Sequence, residues 1–81
     1  MKIQVTQQHI DSGVRGSCTS DPIALALKEA GFPKVWAGVR YLRIYDGPEF
    51  ADHSMPDEVY EFLRLYDNGL PTLPMCFDLE F

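Results

Sequence analysis

A chain of 81 residues, 46% hydrophobic and 23% charged, is long enough for one small core and too short for several, so it reads as a single α+β domain over residues 1–81. That composition excludes disorder over the whole chain and leaves no room for a large buried active site. The formal net charge of -5 disfavours a protein built chiefly to hold nucleic-acid phosphates.

Lys2 to Thr6 alternates polar and apolar residues, with Ile3 and Val5 on one side, and predicts a short half-buried strand. Thr6 is placed to cap a brief turn of helix over Gln7 to Ser12. Gly13 and Gly16, followed by Ser17-Cys18-Thr19-Ser20, make a loop. Ser20 or Asp21 then offers an N-cap oxygen, Pro22 fits the first helical turn and Gly31 stands at the stop, which predicts a helix over Pro22 to Ala30. Its expected packing face is Ile23, Leu27 and Ala30, with Ala24 and Ala26 beside them.

Lys34 to Tyr45 is rich in β-branched and aromatic residues, and Ala37-Gly38 divides it into two segments or bulges a single strand. Tyr45-Asp46-Gly47-Pro48 predicts a turn, and Glu49 to Asp52 a short charged return strand at a sheet edge. Ser54-Met55-Pro56 opens a second helix whose apolar face is Val59, Phe62, Leu63 and Tyr66 and whose stop is Asn68-Gly69. After the prolines of Leu70 to Pro74, Met75 to Phe81 alternates again as a final strand. These elements predict a two-layer α+β domain, a mixed or antiparallel sheet of about four strands with two helices packed on it. A ferredoxin-like topology is one arrangement that the element order matches.

The N-terminus lacks the apolar core of a secretory signal, so the expectation is a soluble, cytoplasmic protein. Cys18 and Cys76 fit neither a metal-ligand spacing nor a disulfide framework and are expected as thiols, a bridge being the alternative. No residue set specifies a reaction. His9, His53, Cys18 and Cys76 contain no chelating pair for zinc. Asp52-His53-Ser54 are neighbours whose side chains point different ways on a strand, unlike a hydrolase triad. Cys18, His9 and Asn68 lack any local support as a thiol-protease set. Gly13 to Ser17 lacks the lysine of a phosphate-binding loop. The chain is therefore expected to be non-enzymatic, without catalytic, cofactor-binding or metal-binding residues.

The charge is unevenly spread. Residues 1–45 carry +3, and residues 46–81, with nine acids against Arg64 alone, carry -8. Such a half repels phosphate and steers basic surfaces toward itself. Glu49, Asp52, Asp57, Glu58 and Glu61 are the candidate partner-binding residues. The alternative is a small nucleic-acid-binding module in which Lys34, Arg40 and Arg43 act with Trp36, Tyr41, Tyr45 and Phe50.

The segments Val5-Thr6-Gln7, His9-Ile10, Cys18 and Pro22 to Leu27 resemble small proteins of bacteriophages and prophages. Met55-Pro56-Asp57-Glu58-Val59, Phe62, Tyr66-Asp67-Asn68-Gly69 and Phe77-Asp78-Leu79-Glu80-Phe81 are similar to the same group. Short acidic phage proteins of this kind look like the class that includes anti-CRISPR proteins, which bind Cas effector subunits and block DNA entry. The resemblance implies an inhibitor whose partner is a host protein with a basic nucleic-acid-binding site, such as a CRISPR-Cas effector subunit, with no nucleic acid or membrane bound directly. It carries no site residues with it.

Overall fold

Residues 1–79 are described by a computed structural model. The alternating N-terminal segment forms β1 (Lys2–Val5), with Ile3 and Val5 buried and their neighbours exposed. Thr6 ends it and caps α1 (Gln7–Ser12) through a capping box with His9. Asp21 supplies the cap of α2 (Pro22–Glu29), its carboxylate accepting the Ala24 N–H at 2.8 Å. Gly31, at φ 115, lets the chain leave α2 through paired bonds from Gly31 N–H to Lys28 C=O and from Phe32 N–H to Leu27 C=O.

The aromatic stretch forms two strands, β2 (Val35–Ala37) and β3 (Tyr41–Asp46), where the sequence left a bulged single strand open. A turn joins them, closed by Gly38 N–H to Tyr41 C=O at 2.9 Å. A side chain at Gly38 would run into the Tyr41 ring, so the residue without a Cβ is what allows this close approach. β4 (Glu49–Ser54) returns across a two-residue Gly47-Pro48 turn, with Gly47 at φ 63. It is two residues longer than the predicted Glu49 to Asp52. Then follow α3 (Asp57–Asp67) and β5 (Met75–Asp78). The expected continuation of the last strand through Glu80 and Phe81 lies outside the described residues.

The class is α+β, as expected, but the strands divide between two antiparallel sheets instead of sharing one. β1 pairs with β5, and β2, β3 and β4 form a second sheet in that order. A ferredoxin-like sheet is thereby ruled out, because β1 and β5 hydrogen-bond each other and do not enter the sheet that holds β3. One core serves both sheets: Ile3, Val5 and Phe77 from the first, Val35, Leu42 and Ile44 from the second, with Ile23 and Leu27 of α2 and Val59, Phe62 and Leu63 of α3. Ala30, expected on the α2 face, is instead the exposed C-cap, and Ala24 and Ala26 fill the contact. No helix among the described residues is long and apolar enough to cross a membrane.

Candidate functional site

Because strand side chains alternate, the three-stranded sheet has a core face and an outer face. Val35, Ala37, Leu42 and Ile44 take the core face. The outer face receives Trp36 from β2, Tyr41, Arg43 and Tyr45 from β3, and Phe50 and Asp52 from β4. Trp36 is 43% exposed and Phe50 52%, high for residues of this size on a sheet. The register sets Trp36, Arg43 and Asp52 side by side across the three strands. Arg43 donates to Asp52 through both arms, at 2.7 and 3.0 Å, with its guanidinium 4.1 Å from the Phe50 ring centre. That bond holds the Asp52 carboxyl below its ordinary range and raises Arg43 further. Lys34 lies 4.3 Å over the Tyr45 ring, which is tilted against Phe50 at 5.6 Å.

The five candidate acids do not share one face. Glu49 has the core-face parity of Leu42 and Ile44, opposite Asp46 at the open hairpin end, whereas Asp52 is on the outer face. Asp52 is neutralised by Arg43 and Glu61 by a forked pair with Arg64 on the same helix, which lowers the Glu61 carboxyl as well. Asp57 and Glu58 stay exposed in the first turn of α3, where the N-cap Pro56 offers no side-chain acceptor and negative charge offsets the helix dipole. Of the alternative cations, Lys34 and Arg43 meet on the aromatic face. Arg40 does not: it sits over the Tyr60 ring of α3 at 3.8 Å.

The residues weighed for chemistry are held in other roles. Asp52 binds Arg43, and Leu42 faces His53 across the strands, so Asp52 and His53 lie on opposite sides of the sheet. His9 is bonded to Thr6 and Glu29. Cys18 is a half-buried thiol in the loop before α2 and Cys76 an exposed one on β5. Among the described residues no three His, Cys, Asp or Glu side chains come together as a metal site. Sequence reasoning missed one feature altogether, a cleft of about 480 Å³ where the loop before α2, the β2–β3 turn and α3 meet. Its walls come from three segments, Gly16 to Asp21, Trp36 to Tyr41 and Tyr60 to Asp67, that lie far apart along the chain, so no local pattern marks it.

Fold and surface together define a small mixed α+β protein whose most distinctive feature is an aromatic and arginine-bearing sheet face. No family model, curated protein or solved structure matches the chain.

Proposed function

We propose that this is a non-enzymatic binding protein that engages a basic-surfaced protein partner through the outer face of the β2–β3–β4 sheet, with acids at its margin. The observation that carries this is the exposure of Trp36 and Phe50 on one face around the Arg43–Asp52 pair. Trp, Tyr and Arg are the side chains that dominate protein–protein contacts, and large exposed aromatics grouped on one face are uncommon without a partner. Asp46 and Glu49 at the hairpin end, with Asp57 and Glu58 on α3, add negative charge that favours a basic rim on the partner. A basic nucleic-acid-binding site on a host protein has that chemistry, and inhibition would follow from occupying it.

A photo-crosslinking residue at position 50 tests the reading against the same residue at Val14, which is exposed in the loop before α2. In host cells position 50 should give one dominant protein adduct that Arg43→Asp abolishes. Equal adducts from both positions would refute it.

A second reading draws on the same face: Lys34 and Arg43 among stacked aromatics also suit single-stranded nucleic acid. Arg43 is already neutralised and the whole chain is negative, which weakens it. A gel shift with DNA and RNA oligonucleotides at low salt separates the two, since only the nucleic-acid module retards the probe.

A further inference from the structure

The cleft beside α3 is an open pocket with two carboxylates and three aromatic rings in its wall. At about 480 Å³ it falls within the range of small-ligand sites. Asp21 and Asp67 line it together with Trp36, Tyr41, Tyr60 and Leu63. Asp21 is only 4% exposed, and its burial, with a smaller contribution from the nearby Asp67 charge, raises its carboxyl to about 6. Both acids are fixed by backbone donors, Asp21 by the Ala24 N–H and Asp67 by the Gly16 N–H at 3.0 Å. Two carboxylates that disfavour each other's charge are relieved by a cation placed beside them.

The cations already near the cleft have partners of their own, although the Lys28 charge also reaches Asp21. Arg64 lines it, but its guanidinium is forked onto Glu61. Lys28 donates to the Thr19 carbonyl at 2.6 Å. Arg40 lies over Tyr60 and Arg43 is 5.5 Å from the Tyr41 ring centre, so two of the three aromatic walls have a guanidinium nearby. Trp36, the best cation-binding ring of the three, is half-exposed at the rim with no cation over it among the described residues.

We propose that this cleft receives the guanidinium of an arginine presented by a protein partner, stacked on Trp36 and charge-paired with Asp21 and Asp67. A planar guanidinium combines stacking with donation to carboxylates in a way that an ammonium does not. None of the five acids singled out from the sequence lines the cleft. The inference deepens the reading above, in that the basic partner supplies the arginine, yet it is tested without that partner.

Trp36 is the only tryptophan of the chain, so its indole N–H resonance and its fluorescence report on the rim where the cleft meets the sheet face, and the Leu63 amide, deeper in the cleft, assigns the response to the cleft. Titration with acetyl-arginine amide should shift both in a saturable way, with a dissociation constant on the order of 1 mM for so small a probe. Acetyl-citrulline amide, which has the same shape without the charge, should bind at least tenfold more weakly. Free L-arginine separates the two sources of a guanidinium: its own carboxylate faces the acids, so it should bind more weakly than the amide, and tighter binding would refute a protein-borne arginine. Asp67→Asn keeps an acceptor for Gly16 while losing the charge, and should weaken binding about threefold or more with the amide spectrum otherwise unchanged. Trp36→Leu, followed on the Gly38 and Leu63 amides, should abolish it. Equal response to citrulline, or unchanged affinity in Trp36→Leu or Asp67→Asn, would overturn the proposal. Such a result would leave a crosslinked partner on the sheet face untouched, so the two readings fail separately.

Discussion

His9 and Glu29 tie α1 to the last residue of α2. The Thr6 backbone N–H donates to His9 Nδ1 at 3.0 Å, which makes Nδ1 the acceptor and leaves the ring proton on Nε2 to donate to the Glu29 carboxylate. One buried imidazole therefore caps one helix and anchors another. His9→Ala removes both bonds and leaves a void, and should lower the unfolding free energy by about 2 to 3 kcal/mol in urea melts. Glu29→Ala should cost less than about 1 kcal/mol, because the Glu29 side chain is 70% exposed and its half of the pair is screened. The reverse ranking would mean that the bond to Glu29, not the cap, holds α1.

Asp21 gives the fold a pH dependence of unusual sign for a carboxylate. Burial raises it to about 6, the Ala24 N–H opposes that and the Asp67 charge adds to it. The folded protein thus binds the Asp21 proton more tightly than the unfolded chain does. This favours folding fully below about pH 4, and the advantage is lost as pH rises through about 6. Asn at this position still caps the helix but never ionises. From pH 4 to pH 7 the stability of Asp21→Asn relative to wild type should therefore rise by about 2 to 3 kcal/mol. Parallel urea melts at the two pH values read this directly, and a constant difference would contradict it.

Leu27 is fully buried between α2 and both sheets, whereas Ala30 is exposed just past the helix end. Leu27→Ala should cost about 2 to 5 kcal/mol, a large share of the stability of so small a domain. Ala30→Ser should be near neutral, within about 0.5 kcal/mol. Thermal melts of the two variants distinguish the observed helix face from the one that periodicity alone suggests.

That contrast shows where local pattern reaches and where it stops. The Asp21-Pro22 start and the Gly31 and Asn68-Gly69 stops were legible because capping is decided within four or five residues. The division into two sheets was not, since β1 finds β5 from the far end of the chain and nothing in either strand names its partner. Charge followed the same rule. Glu61 and Arg64 are three apart on a helix, a spacing that announces their pair. Arg43 and Asp52 meet only because the Gly47-Pro48 turn sets the register. Counted without these partners, the second half of the chain looks more exposed in its charge than its folded surface is.

The acids left without a partner are the ones on which the electrostatic part of the proposed function rests. Asp57 and Glu58 are exposed in the first turn of α3 and enter no ion pair among the described residues. Both favour the helix dipole, a role that would explain them without any partner. Changing both to Lys should cost about 1 to 2 kcal/mol through that dipole, visible as a lower urea midpoint with an unchanged fold. If they also steer a basic partner, the association rate with the crosslinked protein should fall about tenfold or more at low ionic strength, and the gap should close as salt is added. Glu61→Gln serves as the control, because its charge is already taken by Arg64 and its loss should barely change the rate. A double variant that associates as fast as wild type at low salt would reduce Asp57 and Glu58 to helix-stabilising residues and leave the aromatic sheet face, with Asp46 and Glu49 at its hairpin end, as the interface.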